Sequence, residues 1–109
     1  MTKTEIIGTP IKIGNLEVDH YDFPEEMDWN TAIKSCLNLG DGRRLPTKEE
    51  LNILFKNKET IGGFARLDYW SSTEGQNLEL AWYQNFFKGK NATFKHFKCR
   101  VRAVRSLEF

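Results

Sequence analysis

The chain has 109 residues, 39% hydrophobic and 28% charged, with 16 basic and 15 acidic side chains for a formal net charge of +1. That length and balance describe one domain with a core of its own and exclude a disordered segment; two cysteines, Cys36 and Cys99, make neither a disulfide framework nor a zinc set. No apolar run approaches the ~20 residues that span a bilayer, and Met1-Thr2-Lys3-Thr4-Glu5 lacks the apolar stretch of a secretory signal, so a cytoplasmic protein with two free thiols is expected.

From Ile6 to Phe23 the chain reads as β-rich. Pro10-Ile11-Lys12-Ile13 alternates and stops at Gly14-Asn15, and Leu16-Glu17-Val18-Asp19 alternates again, the pattern of a hairpin whose turn tolerates positive φ. His20 follows with no partner at metal-ligand or triad spacing and reads as an ordinary strand residue. Asp28 to Leu39 is expected as a helix: Asp28 or Asn30 can cap it, and Trp29, Ala32, Ile33, Cys36 and Leu37 recur at three-to-four spacing. Gly40 suits the position after the last turn. Cys36 then lies on the apolar face as a small, unreactive hydrophobe.

A second helix begins at Thr47, which forms a capping box with Glu50 behind Pro46. Leu51, Ile53, Leu54 and Phe55 are its expected inward stripe. Glu49 and Glu50 are not a catalytic pair, because helical neighbours point about 100° apart.

After Ile61-Gly62-Gly63 the pattern returns to strands. Tyr69 to Glu74 and Ala81 to Phe86 read as an antiparallel pair around a polar turn, with Trp82, Gln84 and Phe86 sharing a face. Nine of the fourteen aromatics fall between Phe64 and Phe97, more than that segment needs to bury. Ala92 to Arg105 is long enough for one strand or two, with Phe97, Cys99, Val101 and Ala103 on one face and a bulge or local twist near Val104. Strands, two helices and strands again make an α+β domain, helices packed on twisted antiparallel hairpins.

Charge divides the chain. Residues 1–79 hold nine basic and fourteen acidic side chains, residues 80–109 seven basic and one acidic. Either the halves pair within the fold, or the basic aromatic end binds a polyanion through Lys88, Lys90, Lys95, Lys98 and Arg100 with Phe94 and Phe97.

The words Leu45-Pro46-Thr47-Lys48-Glu49-Glu50-Leu51, Tyr69-Trp70-Ser71-Ser72-Thr73-Glu74, Ala81-Trp82-Tyr83-Gln84-Asn85-Phe86 and Val101-Arg102-Ala103-Val104-Arg105 occur in this order. With Trp29, Ala32 and Cys36, they resemble the bacterial and phage C-type-lectin-like domains related to the formylglycine-generating-enzyme fold, and within that group the variable proteins of diversity-generating retroelements. The resemblance implies a single domain over 1–109 that binds a protein or cell-surface ligand, without catalysis, cofactor, metal or membrane insertion. Association with a phage particle is its implied alternative to a purely cytoplasmic location.

It further implies a rewritten surface within 64–105: Arg66, Leu67, Tyr83, Phe87, Lys88, Phe94, His96, Phe97 and Cys99 would be displayed, while Trp70, Trp82 and the terminal Val101–Arg105 word would be framework. Nucleic-acid or polyanion binding is the alternative function. Arg102, flanked by apolar residues, is expected to pair with Glu49 or Glu50. The chain also departs from the family. Arg43 stands where relatives have Trp, Ala103 where many have Cys, the calcium-binding sugar motifs of C-type lectins are missing, and two separated cysteines do not supply the thiol chemistry of the related enzymes.

Overall fold

A computed structural model describes residues 1–107. Its elements in chain order are α1 (Lys3–Ile7), β1 (Ile11–Ile13), β2 (Leu16–Val18), α2 (Trp29–Asn38), α3 (Lys48–Lys56), α4 (Lys58–Ile61), β3 (Asp68–Glu74), β4 (Leu80–Asn85), β5 (Gly89–Phe94) and β6 (Val104–Ser106). Two three-stranded antiparallel sheets result, ordered β1-β2-β6 and β3-β4-β5. The architecture is α+β, as the alternation of patterns predicts.

The first hairpin turns at Gly14-Asn15, pairing Ile13 with Leu16. α2 starts at Asp28, whose carboxylate accepts from the Thr31 N–H at 2.8 Å, and Gly40 follows it at φ +83°, a conformation glycine adopts without strain. α3 starts with the expected capping box, Thr47 and Glu50 satisfying each other's backbone N–H groups. Within the central hairpin, Trp70 pairs with Tyr83 and Tyr69 with Gln84, with a register irregularity between Trp70 and Glu74.

That pairing sorts the core. Trp70 and Ala81 join Ala32, Cys36, Leu45, Cys99 and Val101 in one cluster, while Tyr69 and Phe86 join Leu51, Leu54, Val18 and Val104 in the other. Two indole N–H groups stitch α2 and its approach to β3: Trp29 Nε1 donates to the Ser71 carbonyl and Trp70 Nε1 to the Met27 carbonyl, each at 2.8 Å.

Several expectations are corrected. Ile6 and Ile7 lie in α1 rather than a strand, because Thr2 and Glu5 form a second capping box. The helix ends at Gly8, where an added Cβ would sit 2.7 Å from the His20 Cβ; only glycine allows that approach. Leu37 and Ile53 face outward, and Leu39 takes the buried place beyond α2. Trp82 is half-buried rather than in the core, with the Lys48 ammonium 4.2 Å from its ring centroid.

The stretch from Ala92 to Arg105 is neither one strand nor a clean pair. β5 ends at Phe94, a turn follows, and residues 99–104 thread through the molecule with partners on several sides. Cys99 bridges Met27, the Arg100 carbonyl accepts from Trp70, the Val101 carbonyl from Phe23, the Ala103 carbonyl from Asp19, and Val104 pairs with Arg44. Backbone partners on opposite flanks bury Cys99, Val101, Arg102, Ala103 and Val104 together, so strict in–out alternation is lost.

Arg102 pairs with neither Glu49 nor Glu50. Its Nε donates to Asp22 Oδ1 at 2.7 Å, Nη1 donates to the Asp19 and Gly62 carbonyls, and the guanidinium lies 4.1 Å from the Phe64 ring centroid. Glu50 instead takes Arg44 in a two-pronged pair at 2.6 and 2.9 Å. Arg43 is repurposed as a buried cation held by Asp19 at 3.0 Å and Glu17 at 3.1 Å, and Glu17 also holds Arg105. Arg102, Arg105 and Lys95, three of the seven basic residues of 80–109, thus meet Asp22, Glu17 and Glu74 of the acidic part: the charge division is in part internal pairing.

Candidate binding surface

The sheet β3-β4-β5 positions the surface. Its β4–β5 register sets Asn85 opposite Gly89 at one end and Leu80 opposite Phe94 at the other. Five residue steps separate those ends, about 17 Å at ~3.4 Å per residue.

The residues expected to be displayed therefore divide. At the first end, Arg66, Leu67, Phe87 and Lys88 are exposed around the turn after β4. The Asn85 side chain builds that turn by accepting from the N–H groups of Phe87 and Lys88 at 2.9 and 2.8 Å, while its own amide donates to Asp68 at 2.8 Å. Phe87 is 63% exposed, and the Arg66 guanidinium lies 5.0 Å from its ring centroid.

At the second end, Phe94, His96 and Phe97 form a surface cluster. Phe94 and His96 stack with centroids 5.7 Å apart, and Phe97 stands perpendicular to Phe94 at 6.0 Å. Phe94 and Phe97 are 46% and 49% exposed, held in place by the Phe97 N–H donating to the Phe94 carbonyl and by the Lys95 N–H donating to the Glu79 carbonyl. Asp28, Asn30, Leu78 and Glu79 line a hollow of about 500 Å³ beside Phe94 and His96. Sequence reasoning missed these four; the signal was Leu78, an apolar residue in an otherwise polar turn, which is 81% exposed.

Two of the expected display residues differ in placement. Cys99 is buried, bridged to Met27 and packed in the core beside Trp70, so it is corrected from a displayed to a core residue. Burial, with Asp68 and Glu26 nearby, pushes its thiol up to about 12, and burial pushes Cys36 up further. Both thiols are free and neither is activated. Tyr83 is half-buried against the same core cluster; burial first, then Asp68, raises its phenol. Its outer part borders a polar hollow with Asp68, Lys88, Lys90 and Asn91.

The structure does not bring the proposed polyanion-binding set together. Lys88 and Lys90 lie towards the end of β5 remote from Phe94. Lys95 is bound to Glu74 at 2.7 Å with its ammonium 4.2 Å from the Trp29 ring centroid, and Arg100 carries a buried Nε. His20 stacks on Tyr21 and its Nδ1 is 3.2 Å from the Thr9 carbonyl. Among the described residues no group of three or more His, Cys, Asp or Glu side chains could hold a metal ion, and no helix is long and apolar enough to cross a membrane.

The α+β fold with its two antiparallel sheets is C-type-lectin-like, as comparison with solved structures shows. The chain superposes on botrocetin, a snake-venom C-type-lectin-like protein, with a TM-score of 0.68 over 91% of this chain and 96% of that one. At 10% sequence identity the likeness shows the fold alone. No protein-family model and no curated protein sequence matches the chain.

Proposed function

We propose that this is a non-catalytic binding domain, one unit over its whole length, that presents the two ends of its second sheet to a protein ligand. We further propose that it does so in the manner of a retroelement variable protein, with residues at those ends exchanged on a constant frame. The observation that carries the reading is the contrast along the C-terminal third. Trp70, Ala81, Val101 and Ala103 are fully buried, whereas Phe87, Phe94 and Phe97 are large apolar rings left 46–63% exposed. Exposed aromatics on a rigid frame are the usual anchors of protein interfaces. The unactivated thiols and the lack of a metal-holding group among the described residues favour binding over catalysis.

The test is a library in which Arg66, Leu67, Phe87, Lys88, Phe94, His96 and Phe97 are randomised together and members are melted individually. A display surface tolerates the exchange, so most members should unfold cooperatively near the parent's midpoint. Collapse of most members would show that these side chains hold the fold, and the display reading would be dropped. For the retroelement reading, the flanking DNA should hold a near-copy of the codons for residues 64–105 with adenines at the exchanged positions; a flank without one would remove it.

A further inference from the structure

Four aromatic rings near the surface are already covered by cations of this chain. Lys48 lies over Trp82 at 4.2 Å, Lys58 over Phe55 at 4.3 Å, Lys95 over Trp29 at 4.2 Å and Arg66 over Phe87 at 5.0 Å. Among the described residues, no such contact involves the exposed Phe94 and Phe97 rings.

The hollow beside Phe94 carries charge of the opposite kind. Asp28 and Glu79 line it, and its one cation, Lys95, is neutralised by Glu74 at 2.7 Å. Asp28 also lines the adjoining hollow, where Glu25 and Glu26 face a single Lys98. Among the described residues, the two hollows with Glu74 included hold five carboxylates against two ammonium groups, with Lys34 also acting on Asp28. Asp28 keeps one oxygen on the Thr31 N–H as the cap of α2, whereas the Glu79 side chain is exposed at the rim. A ring face beside these carboxylates is the complement of a guanidinium or ammonium group, attracted by the ring quadrupole and by the acids together.

We propose that the hollow lined by Phe94, His96 and the Asp28 and Glu79 carboxylates seats an arginine or lysine side chain of a protein partner. The inference rests on the binding-domain reading and gives the partner's chemistry at one of its two display ends. Arginine suits the place best, since its planar guanidinium can lie on the Phe94 ring while donating to Glu79.

The experiment titrates ¹⁵N-labelled protein with the peptide (Gly-Arg)₆, with (Gly-Lys)₆ and (Gly-Glu)₆ alongside. Shifts should centre on residues 78–79 and 94–97, be larger for the arginine peptide, and be absent with the glutamate peptide. Glu79→Lys should weaken binding roughly tenfold, the size of a partly desolvated cation–ring and ion pair. Glu79→Gln keeps the side chain's shape should the lysine variant misfold, and should weaken binding in the same direction. Leu37→Ser, exposed at the far end of α2 and outside both display ends, should change nothing.

Shifts that are missing, spread evenly over the acidic surface, or indifferent to both Glu79 variants would overturn the proposal. So would a preference for the glutamate peptide, which would make the ligand a polyanion. Sedimentation equilibrium gives the last arm: self-association that shifts the same resonances would make the occupant a second copy and refute the separate partner. Failure of the peptide titration with a tolerant randomised library would sink this inference alone; an intolerant library would remove the reading beneath it.

Discussion

Replacing Arg102 by Met tests the framework at its most connected charge. The Arg102 side chain is fully buried, with Nε 2.7 Å from Asp22 Oδ1 and Nη1 3.2 and 3.3 Å from the Asp19 and Gly62 carbonyls. Asp22 in turn accepts from the Tyr69 hydroxyl at 2.5 Å, and that hydroxyl accepts from the Ala65 N–H at 2.8 Å. Methionine fills much of the volume but removes the counter-charge of Asp22 and the donors to two carbonyls. Breaking a buried pair from one side costs ~3–5 kcal/mol, a large share of the ~5–15 kcal/mol that stabilises a domain. At about 4 °C or more per kcal/mol for a chain near this size, the melting midpoint should fall by about 12 °C or more. Asp22→Asn should be comparably costly because it strands a buried guanidinium. In the double variant the two losses should fall well short of adding, since neither charge is left alone. Thermal and urea unfolding of the four proteins measure the midpoints and the losses. A midpoint unchanged in Arg102→Met, or strict additivity in the cycle, would refute the network as a source of stability.

Three further outcomes follow from the geometry. Trp70→Ala should cost ~3–5 kcal/mol in urea unfolding, whereas Phe87, Phe94 and Phe97 changed together to Ser should leave stability nearly intact; a loss above about 3 kcal/mol in the triple variant would make these rings core. Thiol labelling of the native protein should be slow at both Cys36 and Cys99 and fast only after denaturation, and rapid modification of Cys99 would contradict its burial. Burial alone would raise the Glu50 carboxyl, but hydrogen bonds from Arg44 and Thr47 outweigh it and hold the group below its usual range. Its contribution is then present above the unfolded value of ~4.3 and lost as pH falls through the lower folded value. The stability gap between the native chain and Glu50→Gln should narrow from pH 7 to pH 3, and a gap independent of pH would refute the pairing.

What the sequence by itself determined is what neighbouring residues decide among themselves. Thr47 and Glu50 cap α3, Asp28 caps α2, Gly14-Asn15 turns the first hairpin, and the two aromatic words pair as β3 and β4. Each rests on hydrogen bonds or side-chain periods spanning a few residues, so each is legible locally. The α1 capping box, Thr2 with Glu5, was legible on the same terms but overshadowed by the β-branched Ile6 and Ile7.

Only the tertiary structure decided the rest. Residues 99–104 pair on several sides at once, so their burial has no period of two and Cys99 could not be told from a surface residue. Arg102 chose Asp22, eighty positions away, because the chain crossing brings β2's exit beneath the terminal segment, and nothing local marks which acid will lie there. The display residues fell into two groups because strand register, a property of paired strands, set Phe87 and Phe94 at opposite ends of one sheet. Asp28 and Glu79 joined the second group through space alone: a helix cap and a loop residue meet the aromatic cluster only when α2 docks beside the β4–β5 hairpin.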